Sequence, residues 1–396
     1  MTHWSMINPG MVDGVRWRRS TGTVRRMTAC LVFMLLPLGA GMAQTGPPAD
    51  ELFERWENFT TKNGLPSNKV MAVAVDGPRV WAGTEKGLAL VEGNRIRRVD
   101  GEGDLPFPAI TSLAVSPDTG DLWIGTLGGL GHLSGGLFES FDQLNSGLAN
   151  DVIYGVAVNG AGVWLATAAG LSHLDLATGA WAIYDTTNTL MHEPWCYAVT
   201  LSQDHVYTAV WGSGVLVREM ASGKFRVHRD PDHEMEIDLF RDDGLVHDVT
   251  SAIAFSRGTL WVGTYFGLSR YQQRRWRSWY ADESGLAGDF INFLRADGDR
   301  VWVATDAGVS RFDGLLWHTW RTNPDGGHDL EITREDGPSK ILHPPTGPPN
   351  NTVFSIDLDG EDVWLATADG LAHGIGIQTS SPAENPPGPG TEREQP

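Results

Sequence analysis

Cysteine is nearly absent from this 396-residue chain: there are two, Cys30 and Cys196. Cys30 lies in a basic and apolar N-terminal stretch discussed below. The other thiol has no partner for an intramolecular disulfide, so stability must come from a packed core. Cys196 reads as a small buried apolar residue rather than a reactive one. No Cys-x-x-Cys-His occurs, which excludes covalent haem attachment. Basic charge is scarce as well, with 30 Lys and Arg against 49 Asp and Glu, a formal charge of −19. So acidic a chain argues against nucleic acid and against anionic membranes as partners, and the surplus serves solubility. The apolar run from Leu31 to Leu38 is too short to span a bilayer. There is no phosphate loop and no Gly-x-Ser-x-Gly elbow, and Gly212-Ser213-Gly214 reads as a turn.

The first 43 residues have the layout of an export signal. Arg16, Arg18, Arg19, Arg25 and Arg26 precede the apolar run, and Gly39, Ala40, Gly41 and Ala43 follow it. A basic region, a short apolar core and small residues at a cleavage point predict removal after Ala43 and a periplasmic or secreted mature chain. Met11 is an alternative start, and Arg25-Arg26 admits twin-arginine export beside the general route. Loss of five arginines and Asp13 leaves 25 basic and 48 acidic residues, a formal charge of −23.

Glycine (48) and tryptophan (16) are abundant, and their placement is periodic. The phrase Val80-Trp81-Ala82-Gly83-Thr84, with Gly87-Leu88 just beyond, returns around Trp123, Trp164, Trp261, Trp302 and Trp364. A degraded copy surrounds Tyr207. The seven anchors are spaced by 42, 41, 43, 54, 41 and 62 residues. A period near 40 built from strand-like units predicts an all-β, seven-bladed β-propeller of four-stranded blades over residues 44–376. In the first unit, Val70 to Val75 is an apolar inner strand and Arg79 to Thr84 the second. Leu88 to Val91 is the third, and Arg95 to Val99 a polar outer strand. Apolar inside and charged outside is the gradient a radial blade requires. The last unit has only three strands, Phe354 to Leu358, Val363 to Thr367 and Leu371 to Gly374. Its missing outer strand is supplied by Arg55 to Thr60, which closes the ring and removes the open edges. Residues 377–396 are rich in Ser, Pro, Glu and Gly and read as a disordered tail.

The phrase Trp-x-Gly-Thr-x-x-Gly-Leu, its Trp-x-x-Tyr type of outer strand and links such as Asn63-Gly64-Leu65-Pro66-Ser67-Asn68 resemble the two-component regulator propeller repeat family. The resemblance covers most of residues 51 to 376. It implies a sensor-type propeller outside the cytoplasm, some of whose relatives resemble carbohydrate-sensing modules. No membrane helix or kinase-like region accompanies the repeats here, so only the recognition half of that role carries over.

Two links exceed the period, Asp230 to Val246 and Asn323 to Asn350. Long links on one face of a repeat fold predict a recognition surface, against the alternative of surface decoration. A second candidate is aromatic: His192, Glu193 and Trp195 before the fourth inner strand, Trp211 in the following turn, and Tyr265-Phe266 in the same turn one blade on. Rings beside acids suit a sugar face or a cation, whereas the six repeat tryptophans read as packing. A third candidate is a polar collar of Asn68, Asp151, Asp248, Asp289 and Asn351. Its plainer reading is that Asn and Asp cap the turn into each strand. His192, His233, His247, His328 and His343 all fall in links, but no pair has a recognised metal-ligand spacing. No catalytic residue, metal site or cofactor is assigned. The expected role is recognition of a protein partner or a carbohydrate or peptide ligand. The alternatives are a metal-assisted lyase or hydrolase and a scaffold in a cell-envelope or electron-transfer complex.

Overall fold

The computed structural model describes residues 52–377, except Asn94, Glu102, 232–241 and Asp336. The leader expected over 1–43 lies outside the described residues. So does the tail expected over 377–396, apart from Ile377, whose N–H donates to the Leu52 carbonyl. The described residues form seven antiparallel sheets, each a blade of a β-propeller. Blade one comprises Val70–Asp76, Arg79–Thr84, Gly87–Glu92 and Arg95–Arg98 in that order from the axis outward. Blades two to five repeat this order. In blade seven the outer strand is Phe53–Phe59, paired antiparallel with Gly370–Gly376. The ring is therefore closed by the N-terminal strand.

The repeated phrase is explained by one turn. Its threonine hydroxyl donates to the carbonyl of the glycine three residues on: Thr84 to Gly87 (2.8 Å), Thr126 to Gly129 (2.6 Å), Thr167 to Gly170 (2.7 Å). Thr264, Thr305 and Thr367 make the same bond to Gly267, Gly308 and Gly370. The hydroxyl also accepts the N–H two residues on, as from Lys86 and Phe266. The glycine is required twice over. Its φ is 133° at Gly308 and Gly370, and a Cβ there would lie 2.6 Å from a main-chain oxygen of the neighbouring outer strand. Blade four lacks the threonine, Val210 standing in its place, and its turn is longer, with Val210 opposite Gly214. Thr250 of blade five supplies the missing hydroxyl, donating toward the carbonyls of Val210 (3.0 Å) and Gly214 (2.8 Å).

The anchor rings fill the seams between blades. Seven apolar clusters each join one blade's anchor to the next blade's strands. Trp81 packs on Ile110 and Ile124, Trp164 on Cys196 and Val206, Trp261 on Ile291 and Phe312, and Trp364 on Val70 and Val80. Cys196 is buried, and burial pushes its thiol well above the usual range.

The link Asn323 to Asn350, expected as a loop on the recognition face, extends blade six instead. His328–Arg334 pairs with the outer strand Leu316–Thr322, and Lys340–Leu342 pairs with His328–Arg334, giving six strands. Leu330, Ile332 and Leu342 pack with Trp56, Phe53 and Trp320 across the closing seam. The return segment binds the closing strand directly: Trp56 N–H donates to Thr346 Oγ1 (2.9 Å), and Asn58 Nδ2 to the Gly347 carbonyl (2.9 Å). On the other side Trp279 Nε1 of blade five donates to Glu335 (2.6 Å). Alternating apolar residues made this segment strand-forming, and the outer edge of blade six was the free edge within reach. The other long link, 230–246, lies mostly outside the described residues.

One seam carries a pH dependence. His228 ends the outer strand of blade four, its ring 5.0 Å from Tyr271 and 5.3 Å from Trp276 of blade five. Burial, with help from Arg226, lowers its pKa from 6.5 to about 4. The unfolded chain then binds more protons than the folded one across that interval. The associated stability is complete above about 6.5 and is lost as pH falls toward 4, and its size is on the order of a few kcal/mol. His228→Phe should flatten the fall in urea midpoint between neutral pH and pH about 4. An unchanged fall would place the acid sensitivity elsewhere.

Candidate functional site

Each inner strand breaks register after its first residue, as at Val70/Ala72, Tyr154's position between Ile153 and Gly155, and Val353/Ser355. A bulge re-aims the extra side chain. Here it aims it around the mouth of the central channel, toward the next blade. Thr111 Oγ1 donates to the Ile153 carbonyl, Ser251 Oγ to that of Ile291, and Asn292 Nδ2 to that of Val353. In blades three and four the bulged residues are Tyr154 and Tyr197, whose rings stack at 4.8 Å. Tyr197 shares a hydrogen bond with Tyr265 in the turn of blade five, and Tyr265 lies 4.2 Å from Phe290 in the link to blade six. An aromatic belt thus runs across four blades at the mouth.

Burial dominates the electrostatics of the belt. It pushes Tyr154 up to about 12, the neighbouring Tyr197 adding to the effect. It raises Tyr197 and Tyr265 as well. All three phenols are therefore neutral at any ordinary pH and offer hydroxyls as hydrogen-bond partners beside flat apolar faces.

The aromatic residues expected from sequence flank this belt on the same face. Trp195 is 40% exposed and lies 5.4 Å from Trp211, tilted by 57°. Phe266 is 42% exposed and rests 4.3 Å from the ring of buried His247. His247 Nδ1 accepts the Val249 N–H (2.9 Å), which leaves the neutral ring's proton on Nε2. His192 and Glu193 are exposed, and both their N–H groups donate to buried Ser213 Oγ. Ser213 is the extra residue of the blade-four turn, so the irregularity at Trp211 and the placement of His192 and Glu193 have one origin.

The polar collar has a different place. Asn68 Oδ1 accepts the Thr61 N–H, Asp248 Oδ1 that of Asp230, Asp289 Oδ1 that of Ala281, and Asn351 Oδ1 that of Thr322. Asp151 does the same for Gln143. Each donor stands where the preceding outer strand ends. The carbonyls of Asp151, Asp248 and Asn351 accept the N–H of Gly129, Gly214 and Gly308 in the previous blade's turn. These side chains latch link to blade. Burial raises the pKa of Asp289, against the bond from Ala281. Pro108 and Pro194 occupy the same register in blades two and four, so the collar is interrupted beside Trp195.

Among the described residues the link histidines form no cluster. His343 Nδ1 pairs with Asp329 (2.8 Å), and His328 Nδ1 lies 3.3 Å from Thr322 Oγ1, both on the blade-six extension. Among the described residues no group of three or more His, Cys, Asp or Glu side chains is placed to hold a metal ion. His233 lies outside them.

Tyr154, Tyr197 and Phe290 were not singled out from sequence. Tyr154 and Tyr197 sit in apolar inner-strand runs, where a ring reads as core. Only the bulge shows that the second residue of each run leaves the packed face. The available signal was the register itself: this position holds Met71, Thr111, Tyr154, Tyr197, Ser251, Asn292 and Phe354, far more varied than its neighbours.

No protein-family model matches the chain, and no curated protein matches it. Solved structures do. An extracellular domain from B. thetaiotaomicron, assigned to a hybrid two-component system, superposes with a TM-score of 0.59 at 16% identity. The match covers 81% of this chain and 41% of that one. A second such domain from the same organism gives 0.60 at 17% identity, over 81% and 40%. The chain therefore spans less than half the length of these two domains. Virginiamycin B lyase from Staphylococcus aureus gives 0.56 at 12% identity, over 81% of this chain and 97% of that one. At such identities the likeness establishes the propeller fold alone. No helix among the described residues is long and apolar enough to cross a membrane.

Proposed function

We propose that this chain is an exported recognition propeller, of the two-component regulator propeller type, that binds a glycan-like ligand or a partner protein at the channel mouth. The observation that carries this reading is the aromatic belt of Tyr154, Tyr197, Tyr265 and Phe290, flanked by exposed Trp195 and Phe266. The turn position held by Trp211 and Tyr265 carries Glu85, Leu127, Ala168, Asp306 and Ala368 in the other blades. The repeat therefore does not require a ring there. Flat faces bordered by phenol hydroxyls and by Glu193 and Asp306 match the alternating apolar and hydroxyl surface of a sugar ring. The likeness to extracellular sensor domains supports export and recognition together. The alternative of a metal-assisted lyase or hydrolase would draw on the same face.

The test is a thermal-shift screen of the mature protein against neutral oligosaccharides, followed by calorimetry on the hits. Trp195→Ala with Tyr265→Ala should weaken binding at least about tenfold, a loss of roughly 1.4 kcal/mol or more. Retention of full affinity by that double variant would remove the mouth as the site. Absence of any oligosaccharide hit would leave the partner-protein arm, read by pull-down from the exported fraction.

A further inference from the structure

On the opposite face, the turns of blades two and three border a cleft of about 430 Å³. Its inner wall is aromatic. Trp123 and Phe141 of blade two lie 6.4 Å apart, and Trp181 of blade three lies 5.9 Å from Phe141. Its rim carries Asp118, Asp121, Glu139 and Asp175, and among the described residues no lysine or arginine lines it. Among the lining residues, His132 is stacked on Trp123 at 3.9 Å, with Nε2 3.3 Å from Asp121.

The next seam has the same aromatic positions, already filled. There Trp164 and Tyr184 lie 5.8 Å apart, with Phe225 5.7 Å from Tyr184. The Arg218 guanidinium lies over both of the first two rings, 5.7 Å from Trp164 and 5.2 Å from Tyr184. Arg218 pairs with Val206 in blade four, and Leu174 pairs with Val163 at the same place in blade three. Leu174 is a wall of the cleft. Where one seam holds an internal guanidinium against two rings, the seam before it has a shorter apolar side chain, a cavity and four carboxylates at the entrance.

We propose that this cleft binds the guanidinium of an arginine side chain presented by a peptide. The rings provide cation–π faces of the kind Arg218 uses, and the rim carboxylates accept the guanidinium's planar N–H fork. The site is independent of the channel mouth and goes beyond recognition there.

The experiment titrates N-acetyl-arginine amide and the peptide Gly-Arg-Gly into the mature protein, with intrinsic tryptophan fluorescence as the readout. The same peptide with citrulline, which keeps the shape and loses the charge, is the control. Saturable quenching by both arginine probes, weakened by salt and absent with citrulline, is expected. Leu174→Arg, which installs the neighbouring seam's own guanidinium, should reduce affinity by at least about tenfold. Should that core variant fail to fold, the exposed-rim double variant Asp118→Asn with Glu139→Gln carries the same test, with a loss of about tenfold. Equal quenching by citrulline, no saturable response to arginine, or parental affinity in the folded variants would overturn the proposal.

Discussion

Deletion of residues 53–59 is expected to abolish the folded monomer. That strand brings Trp56 and Phe59 into two different buried clusters. Removing each buried aromatic ring costs about 3–5 kcal/mol, so the pair alone rivals the total stability of a typical domain, roughly 5–15 kcal/mol. The deletion also uncovers the edge of Gly370–Gly376 and strands the Thr346 and Gly347 partners of Trp56 and Asn58. An open edge beside exposed rings invites association between copies. Size-exclusion chromatography should show aggregate in place of monomer, and a synthetic peptide of residues 52–60 added during refolding should restore part of the monomer. A deletion variant that stays monomeric and melts near the parent would mean that blade six's extension closes the ring unaided.

Trp261→Ala should lose about 3–5 kcal/mol, whereas Trp195→Ala should change stability by under about 0.5 kcal/mol. Both are tryptophans in the same fold, and their surroundings separate them. Trp261 is fully buried among Trp279, Phe312 and the strands of blade six, so its loss leaves a cavity that packed β-sheets cannot collapse around. Trp195 is 40% exposed, with its ring tilted against that of Trp211. Chemical denaturation of the two variants side by side measures the contrast. Similar losses in both would mean that Trp195 is part of the packing and would weaken the recognition reading of that face.

The anchor tryptophans, the threonine–glycine turns and the closing strand were all legible in the chain. The rings and turns answer local demands repeated around the propeller: a ring for the seam, a hydroxyl for the turn (borrowed from Thr250 in blade four), a residue without Cβ beside a main-chain oxygen. The collar was legible as residues, but its side-chain bonds reach back to the end of the preceding outer strand, as from Thr61 to Asn68 and Asp230 to Asp248, rather than capping the turn into the next strand. The Trp195, Trp211, Tyr265 and Phe266 group stood out because it departs from the repeat. The Asn323 to Asn350 link was misplaced because a long segment between two strands looks like a loop until a free sheet edge claims it.

Blade number, blade order and ring closure are thus properties of the sequence, because they follow from periodic hydrophobicity and turn chemistry within each forty-residue unit. The aromatic belt at the mouth, the sixth blade's extra strands and the acidic cleft belong to the tertiary structure alone. The belt and the cleft depend on which residues of different blades meet, which is set by the bulge in every inner strand and by one side chain, Leu174 against Arg218, changing length from seam to seam. The extra strands depend on the open outer edge of blade six.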